Sequence, residues 1–360
     1  MRKNILVGQS GGPTAVINAS LYGVITEGKA HPEHIDTVYG MVNGIEGFLS
    51  GRCMDLSQEL TAEDLLLLKQ TPAAYLGSCR YKLPENLDAP VYGLLFEKFA
   101  SLDIGACLYI GGNDSMDTVD KLSRCARLRH ENVSFIGVPK TIDNDLPVTD
   151  HTPGYGSAAK YVASTVREIC LDASVYQQPA VTIVELMGRH AGWLAGAAGL
   201  ATWAGSGPDL IYLPEVDFSM EDFLADVKRV YEDTGNCLVA VSEGIHYGDG
   251  TFVSEAKTSA TDGFGHAQLG GLAALLAESV KRALGVKVRG IELSLLQRCG
   301  SHLASLTDVR EAYLAGKAAV EAATAGLTDQ MVALDCTRDA SGYHCQTKLI
   351  PLTQAANTER

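Results

Sequence analysis

The stretch Ile136–Asp145, IGVPKTIDND, sets an ammonium, a hydroxyl and two carboxylates close together in Lys140, Thr141, Asp143 and Asp145. The chemistry open to such a set is anion binding and proton transfer. Val133, Phe135, Ile136 and Val138 read as the tail of a buried strand. Pro139 ends it, because proline has no N–H to give a ladder. Open α/β sheets place their ligand sites at this end of a strand. Taken alone, the decapeptide is better read as an Asp/Asn-rich surface turn.

Other strand ends change that weighing. Asn4–Val7 is a short β run, followed by Gly8-Gln9-Ser10-Gly11-Gly12-Pro13-Thr14 and by helical spacing over Ala15–Ile25. Ala106–Ile110 runs into Gly111-Gly112-Asn113-Asp114-Ser115, and helical spacing resumes over Met116–Leu128. Strand, Gly-rich turn and helix start can bring backbone N–H groups and a helix N-terminus against a phosphate. The first turn is neither a Walker A loop nor a GxGxxG fingerprint, and a plain tight βα turn explains it singly. Tyr75–Lys82 leads from small residues to Arg80 and Lys82; a solvated basic turn is the alternative there. Together the loops point to one cleft built at several strand ends.

The elements that must position these loops alternate along the chain. Strands are expected at Thr37–Tyr39, Ala180–Val184, Asp209–Leu213, Cys237–Val241 and Lys287–Leu296, with short segments at Met331–Leu334 and Thr347–Leu352. Helices are expected at Thr61–Leu68 with Thr61 as N-cap, Val91–Leu102, Ser157–Cys170, Ala191–Ala201, Asp217–Tyr231 with Ser219 as cap, Leu272–Leu284 and Asp308–Ala325. Asn43–Gly47 reads as a turn, and His151–Gly156 as a connection leaving a first domain. Such alternation gives an α/β class with mostly parallel sheets.

The chain of 360 residues is long enough for two domains with real cores. No apolar run reaches the roughly 18 residues of a membrane span, and the N-terminal residues lack signal-peptide features. The nine cysteines form no CxxC pair, so reduced thiols in a cytoplasm are expected. A net charge of −14 disfavours nucleic acid and anionic membrane as partners. An anionic substrate would then demand a local cluster of cations.

Several stretches together resemble the phosphofructokinases: Ser10–Pro13 (SGGP), Gly77–Arg80 (GSCR), Gly111–Ser115 (GGNDS), Pro139–Asp145 (PKTIDND), Glu185–Gly192 (ELMGRHAG), Ser242–Gly244 (SEG) and Arg289 with Gln297-Arg298. The resemblance runs from about residue 4 to about residue 325. It implies two Rossmann-like three-layer αβα domains with an interdomain active-site cleft. The larger would hold residues 1–154 and about 297–345, the smaller 155–296 and the C-terminal tail. It also implies Mg2+-assisted phosphoryl transfer to the C1 hydroxyl of fructose 6-phosphate. By that likeness Asp143 is the general base, Asp145 orients or binds metal, and Thr141 hydrogen-bonds the sugar or the transferred group. Arg189 and Arg80 would neutralise phosphoryl charge. Met187, Gly188 and Glu243 would bind the sugar, and Arg289 and Arg298 would grip its phosphate. Gly12, Arg80, Asp114, Ser115 and Lys140 would bind the donor. A cytoplasmic homodimer or homotetramer is expected, with small-molecule substrates as its partners.

Family members use ATP or pyrophosphate. ATP users typically have glycine where this chain has Asp114 and Lys140. A carboxylate at 114 obstructs a nucleotide α-phosphate, and an ammonium at 140 serves the second phosphate of a diphosphate. Pyrophosphate is therefore the expected donor, with ATP the alternative. Departures touch metal and acceptor. Asn113 stands where the family usually has a metal-binding aspartate, so Asn113 or Asp114 is expected to meet the metal. Ala180 and Leu295 replace a usual arginine and histidine on the sugar phosphate. Lys257, His266 or another residue of Asp262–Gly271 is expected to compensate. Sedoheptulose 7-phosphate is the alternative acceptor, and a silent regulatory subunit the remaining reading.

Overall fold

The computed structural model describes residues 3–254, 269–358 and 360. The strands in order are β1 Lys3–Gln9, β2 Ile35–Met41, β3 Cys53–Asp55, β4 Ile104–Gly111, β5 Ser134–Pro139, β6 Ala180–Leu186, β7 Leu210–Tyr212, β8 Asn236–Ser242, β9 Val288–Glu292, β10 Gln330–Asp339 and β11 Gly342–Pro351. The chain divides into two units, Met1–Ser157 with Ala304–Arg360, and Ala158–Leu303.

The first unit holds a seven-stranded sheet in the order β11-β10-β5-β4-β1-β2-β3. Its five inner strands pair in parallel, and β3 and β11 close the edges antiparallel. The inner strands read as near-continuous apolar runs because both faces are covered. Cys107, Tyr109 and Phe135 join one core with Phe48, Phe96 and Phe99. Ala106, Leu108, Ile110, Ile136 and Val138 face the other, with Leu21, Val24, Ala315 and Ala319. That second core lies under helices Ile17–Ala30 and Leu306–Thr324, which touch backbone to backbone. A Cβ on Gly23 would sit 2.3 Å from the Tyr313 carbonyl, and one on Gly316 would sit 2.0 Å from the Ser20 carbonyl.

The second unit holds a parallel sheet in the order β7-β8-β6-β9. Val181, Ile183, Val239 and Val241 pack on Phe223 and Val227 of helix Met220–Thr234 and on Leu276 and Val280 of helix Leu272–Leu284. Both units are thus α/β with parallel strands whose C-terminal ends carry the loops of interest.

Local signals acted as read at two caps. Thr61 forms a capping box with Asp64, and Ser219 accepts from the Asp222 N–H at 3.2 Å. Elsewhere tertiary contacts moved boundaries. Asn43, at φ 59°, starts the short helix Gly44–Leu49 where a turn was expected. The helix expected over Ala191–Ala201 is only Trp193–Ala197, continued by a 3-10 segment Ala198–Ala204. The Gly192 N–H is taken by Glu215 Oε1 at 2.6 Å, which delays the start. Strand β9 stops at Glu292, its last partner being Glu185. Ser294, at φ 47°, turns the chain into the helical turn Leu296–Cys299, so Arg298 is not at a strand end. The two C-terminal segments grow into a ten-residue antiparallel pair. That pair carries the C-terminal tail into the first unit, not the smaller one. Among the described residues no helix is long and apolar enough to cross a membrane. Lys257, His266 and most of Asp262–Gly271 lie outside the described residues.

Candidate active site

In the first unit, loops following β1, β4 and β5 meet at the C-terminal edge of the sheet, joined by Gly77–Arg80. Lys140 is the hinge pin of this group. Its backbone N–H donates to the Gly111 carbonyl at 2.9 Å, and its Nζ donates to the Gly12 carbonyl at 2.6 Å. It is only 3% exposed, so an ammonium is held inside the loop cluster with its charge directed at the Gly11–Gly12 turn, while its backbone holds the Gly111 turn. Ser10 and Ser115 meet hydroxyl to hydroxyl, linking the same two turns. Gly111 must be glycine, because a Cβ there would lie 1.9 Å from Ser115 Oγ. The Gly77–Arg80 loop is anchored by Ser78 Oγ, which donates to the Gly11 carbonyl at 2.6 Å, and by the Gly11 N–H, which donates to the Cys79 carbonyl at 3.1 Å. Arg80 follows, exposed.

The segment after β5 is a braced turn. The Asp143 N–H donates to Thr141 Oγ1 at 3.0 Å, and Thr141 Oγ1 lies 3.4 Å from Asp143 Oδ2. Asn144 takes φ 56°, and its Oδ1 accepts from the Thr152 N–H at 3.0 Å. Thr152 Oγ1 donates back to the Thr141 carbonyl at 2.9 Å. Thr141 and Asp143 are therefore fixed with respect to each other before any ligand arrives.

Asp114 lies in the first turn of helix Asn113–Arg129, at the end that favours anions. Asn113 is used differently. Its Oδ1 accepts from the Asn357 N–H at 3.1 Å and its Nδ2 donates to the Thr358 carbonyl at 2.5 Å. The amide expected to meet a metal is instead spent at both ends on the C-terminal tail. The tail continues to Arg360, whose N–H donates to the Asp145 carbonyl at 2.9 Å. Nothing in the sequence of residues 357–360 signalled this role.

In the second unit, three loops meet at the C-terminal edge of the parallel sheet. The Met187 N–H donates to Gln297 Oε1 at 3.0 Å, and the Gly188 N–H lies 3.4 Å from Glu243 Oε1. Ser242 Oγ donates to the Gly188 carbonyl. Gly188 takes φ 133°, and a Cβ on Gly244 would lie 1.8 Å from the Arg189 carbonyl. Close backbone packing thus sets Met187, Gly188, Arg189 and Glu243 side by side. Arg298 follows Gln297 in the same loop group. Burial raises the carboxyl of Glu185, next to these loops, against the pull of the Ala273 N–H that it accepts at 2.8 Å.

Arg289 is not brought to this group. It pairs in register with Thr182, and a small pocket is lined by Ala173, Tyr176, Gln178, Ala180, Thr182, Lys287 and Arg289. That is the N-terminal half of β6, five residues before Met187. At about 3.3 Å per residue the separation is roughly 16 Å. Arg289 and Arg298, expected as one grip, therefore lie toward opposite ends of the sheet. Lys287 supplies a second cation beside Ala180; no pattern along the chain singles it out.

The family model described as Phosphofructokinase matches residues 4–323. A protein of Xanthomonas campestris pv. campestris (strain B100), named pyrophosphate--fructose 6-phosphate 1-phosphotransferase, is 47% identical, covering 99% of this chain and 85% of its own. The crystal structure of a pyrophosphate-dependent phosphofructokinase from Marinobacter aquaeolei aligns with TM-score 0.87 at 41% identity, over 99% of this chain and 85% of that one. An ATP-dependent 6-phosphofructokinase of Mycobacterium bovis (strain ATCC BAA-935 / AF2122/97) is 33% identical, over 93% of this chain and 90% of its own.

Proposed function

The chain belongs to the phosphofructokinase family, and from that premise we propose that it transfers a phosphoryl group reversibly from pyrophosphate to the C1 hydroxyl of fructose 6-phosphate. The observation that carries the donor is Lys140, buried and bonded to both glycine turns. An ammonium in that place can neutralise a compact diphosphate, while Asp114 at the start of the next helix opposes the longer phosphate chain of a nucleotide.

Phosphoryl transfer needs positioning, charge neutralisation and a group to take the hydroxyl proton. Asp143 takes that proton, and Thr141 holds its carboxylate in place. Arg80 and Lys140 steady the donor, with Gly12 and Ser115 lining its seat. Arg189 meets the charge that develops on the transferred group, while Met187, Gly188 and Glu243 orient the sugar. Arg298 takes the sugar phosphate. The hard oxygens of Asp114 and Asp145 suit Mg2+, which prefers one or two carboxylates together with phosphate oxygens. When bound, Mg2+ would neutralise phosphate charge; Asn113, occupied by the tail, leaves Asp114 the better ligand. The protein is read as cytoplasmic and self-associating, with fructose 6-phosphate and pyrophosphate as its substrates.

The test is a phosphorylation assay of fructose 6-phosphate with Mg2+, run in parallel with pyrophosphate and ATP. Turnover with pyrophosphate is expected. Turnover with ATP alone overturns the donor. Replacing Asp114 and Lys140 together with glycine is expected to raise ATP use and lower pyrophosphate use.

A further inference from the structure

Strand β10 runs on past its pairing with β5, and there Cys336 stands directly opposite Cys345 of β11. Their Sγ atoms are 3.0 Å apart, and both thiols are free. His151, from the segment that follows the Asp143 turn, brings its Nδ1 to 3.9 Å from Cys336 Sγ. The Asp150 carboxylate lies 2.9 Å from the same nitrogen. On the other side of the ring, His151 Nε2 meets Glu311 Oε2 at 2.7 Å. Glu311 is 3% exposed. Tyr343 Oη closes the group, 3.2 Å from Cys336 Sγ and 2.5 Å from Glu311 Oε1. None of these side chains has a part in the proposed phosphoryl transfer.

We propose that Cys336, Cys345 and His151 Nδ1, completed by the Asp150 carboxylate, form a binding site for a thiophilic divalent cation of the zinc class. The donor atoms of Asp150, His151 and Cys336 lie within 4.8 Å of one another, and so do those of Glu311, Cys336 and Cys345. A tetrahedral zinc site, with Zn–S about 2.3 Å and Zn–N about 2.0 Å, needs donors roughly 3.3–3.8 Å apart. The distance from His151 Nδ1 to Cys336 Sγ, 3.9 Å, is close to that, and the two sulfurs, 3.0 Å apart, need to open by less than about 1 Å. Cys336 is common to the two groups, and Cys345 must turn toward His151 and Asp150 to complete the set. Two sulfurs, a nitrogen and an oxygen favour zinc over magnesium. Glu311 has the place that a buried carboxylate takes behind a metal-bound histidine, on the nitrogen away from the ion.

The site would clasp the hairpin to the segment behind the Asp143 turn. Backbone bonds already join them: the Asp150 N–H donates to the Leu334 carbonyl at 2.9 Å, and the Leu334 N–H donates to Thr149 Oγ1 at 2.9 Å. A cation would add a cross-link that the full chain can gain or lose without any change in its substrates.

The experiment is a Co2+ titration of the reduced, chelator-stripped full chain. One equivalent is expected to give near-ultraviolet thiolate-to-cobalt absorption and the visible bands of tetrahedral cobalt, both bleached by Zn2+. Cys336→Ser and Cys345→Ser should each weaken Co2+ binding at least tenfold, and Cys53→Ser should leave it unchanged. Zn2+ should raise the unfolding temperature of the wild type and of Cys53→Ser but not of Cys336→Ser. Cobalt binding without a sulfur band overturns the proposal, as does a band that survives in both hairpin variants. Loss of two titratable thiols to a 336–345 disulfide with no cobalt bound overturns it as well. The readout is spectroscopic, so its failure leaves the phosphotransferase reading untouched.

Discussion

At the scale of the residue, the turn after β5 gathers the chemistry and Lys140 ties it to its neighbours. Asp143→Ser keeps a short polar side chain but removes the carboxylate, so turnover should fall by about 10²–10⁴-fold. The steady-state rate with saturating pyrophosphate checks this; a variant with full activity refutes Asp143 as base. Glu185 offers a pH test of a different kind. Burial holds its carboxyl above the ordinary value of 4.5. The folded state therefore binds this proton more tightly than the unfolded one. The stability contributed is fully present below pH about 4.5 and is lost as pH rises through the folded value. Glu185→Gln keeps an oxygen for the Ala273 N–H and removes the titration. Urea unfolding from pH 4.5 to 7 should show the variant gaining on the wild type as pH rises; a constant difference would refute the assignment.

At the scale of the element, the close pair of helices Ile17–Ala30 and Leu306–Thr324 covers one face of the larger sheet. Its two glycines make opposite demands from an ordinary helical glycine. A methyl on Gly316 would meet the Ser20 carbonyl, which is backbone and cannot swing aside. Gly316→Ala gains up to about 1 kcal/mol in helix propensity but incurs overpacking of about 1–3 kcal/mol. The net expectation is a loss, read as a lower denaturation midpoint. Gly93→Ala in helix Pro90–Ser101 is the matched comparison, since its nearest neighbour is the flexible end of Arg129 at 3.5 Å. There the propensity term should win and the midpoint should rise. The tail is a second element-level device. Asn113→Ala removes both side-chain bonds to residues 357 and 358 and should lower the denaturation midpoint, read by urea unfolding.

At the scale of the molecule, a chain with net charge −14 handles anionic substrates through a few local cations. Lys287 and Arg289 lie at the end of the smaller sheet opposite the loop that holds Met187 and Arg189. Were the sugar phosphate of one chain to sit against this end of another copy, Arg289 would complete that site in trans. Co-expressed Arg289→Ala and Asp143→Ser chains should therefore regain part of the activity that each lacks alone, because a mixed oligomer keeps one intact site. Activity no greater than the sum of the separate variants would mean that Arg289 acts within its own chain or not at all.

What the sequence determined by itself was local. Hydrophobic runs, glycine turns and capping residues fixed the α/β class, most strand and helix positions, and the strand-end loops with Lys140, Asp143, Asp114 and Arg189. These signals come from spacing within a few residues, where backbone sterics and side-chain periodicity act. The tertiary structure alone decided which carbonyls Lys140 holds, that the Asn113 amide is spent on the tail, and that Arg289 and Arg298 lie at opposite ends of one sheet. It also set Cys336 against Cys345 and His151. Each of these rests on partners brought together from distant parts of the chain, through strand register or hydrogen bonds between loops. Such pairings depend on how sheets assemble, and no pattern along the chain encodes them locally.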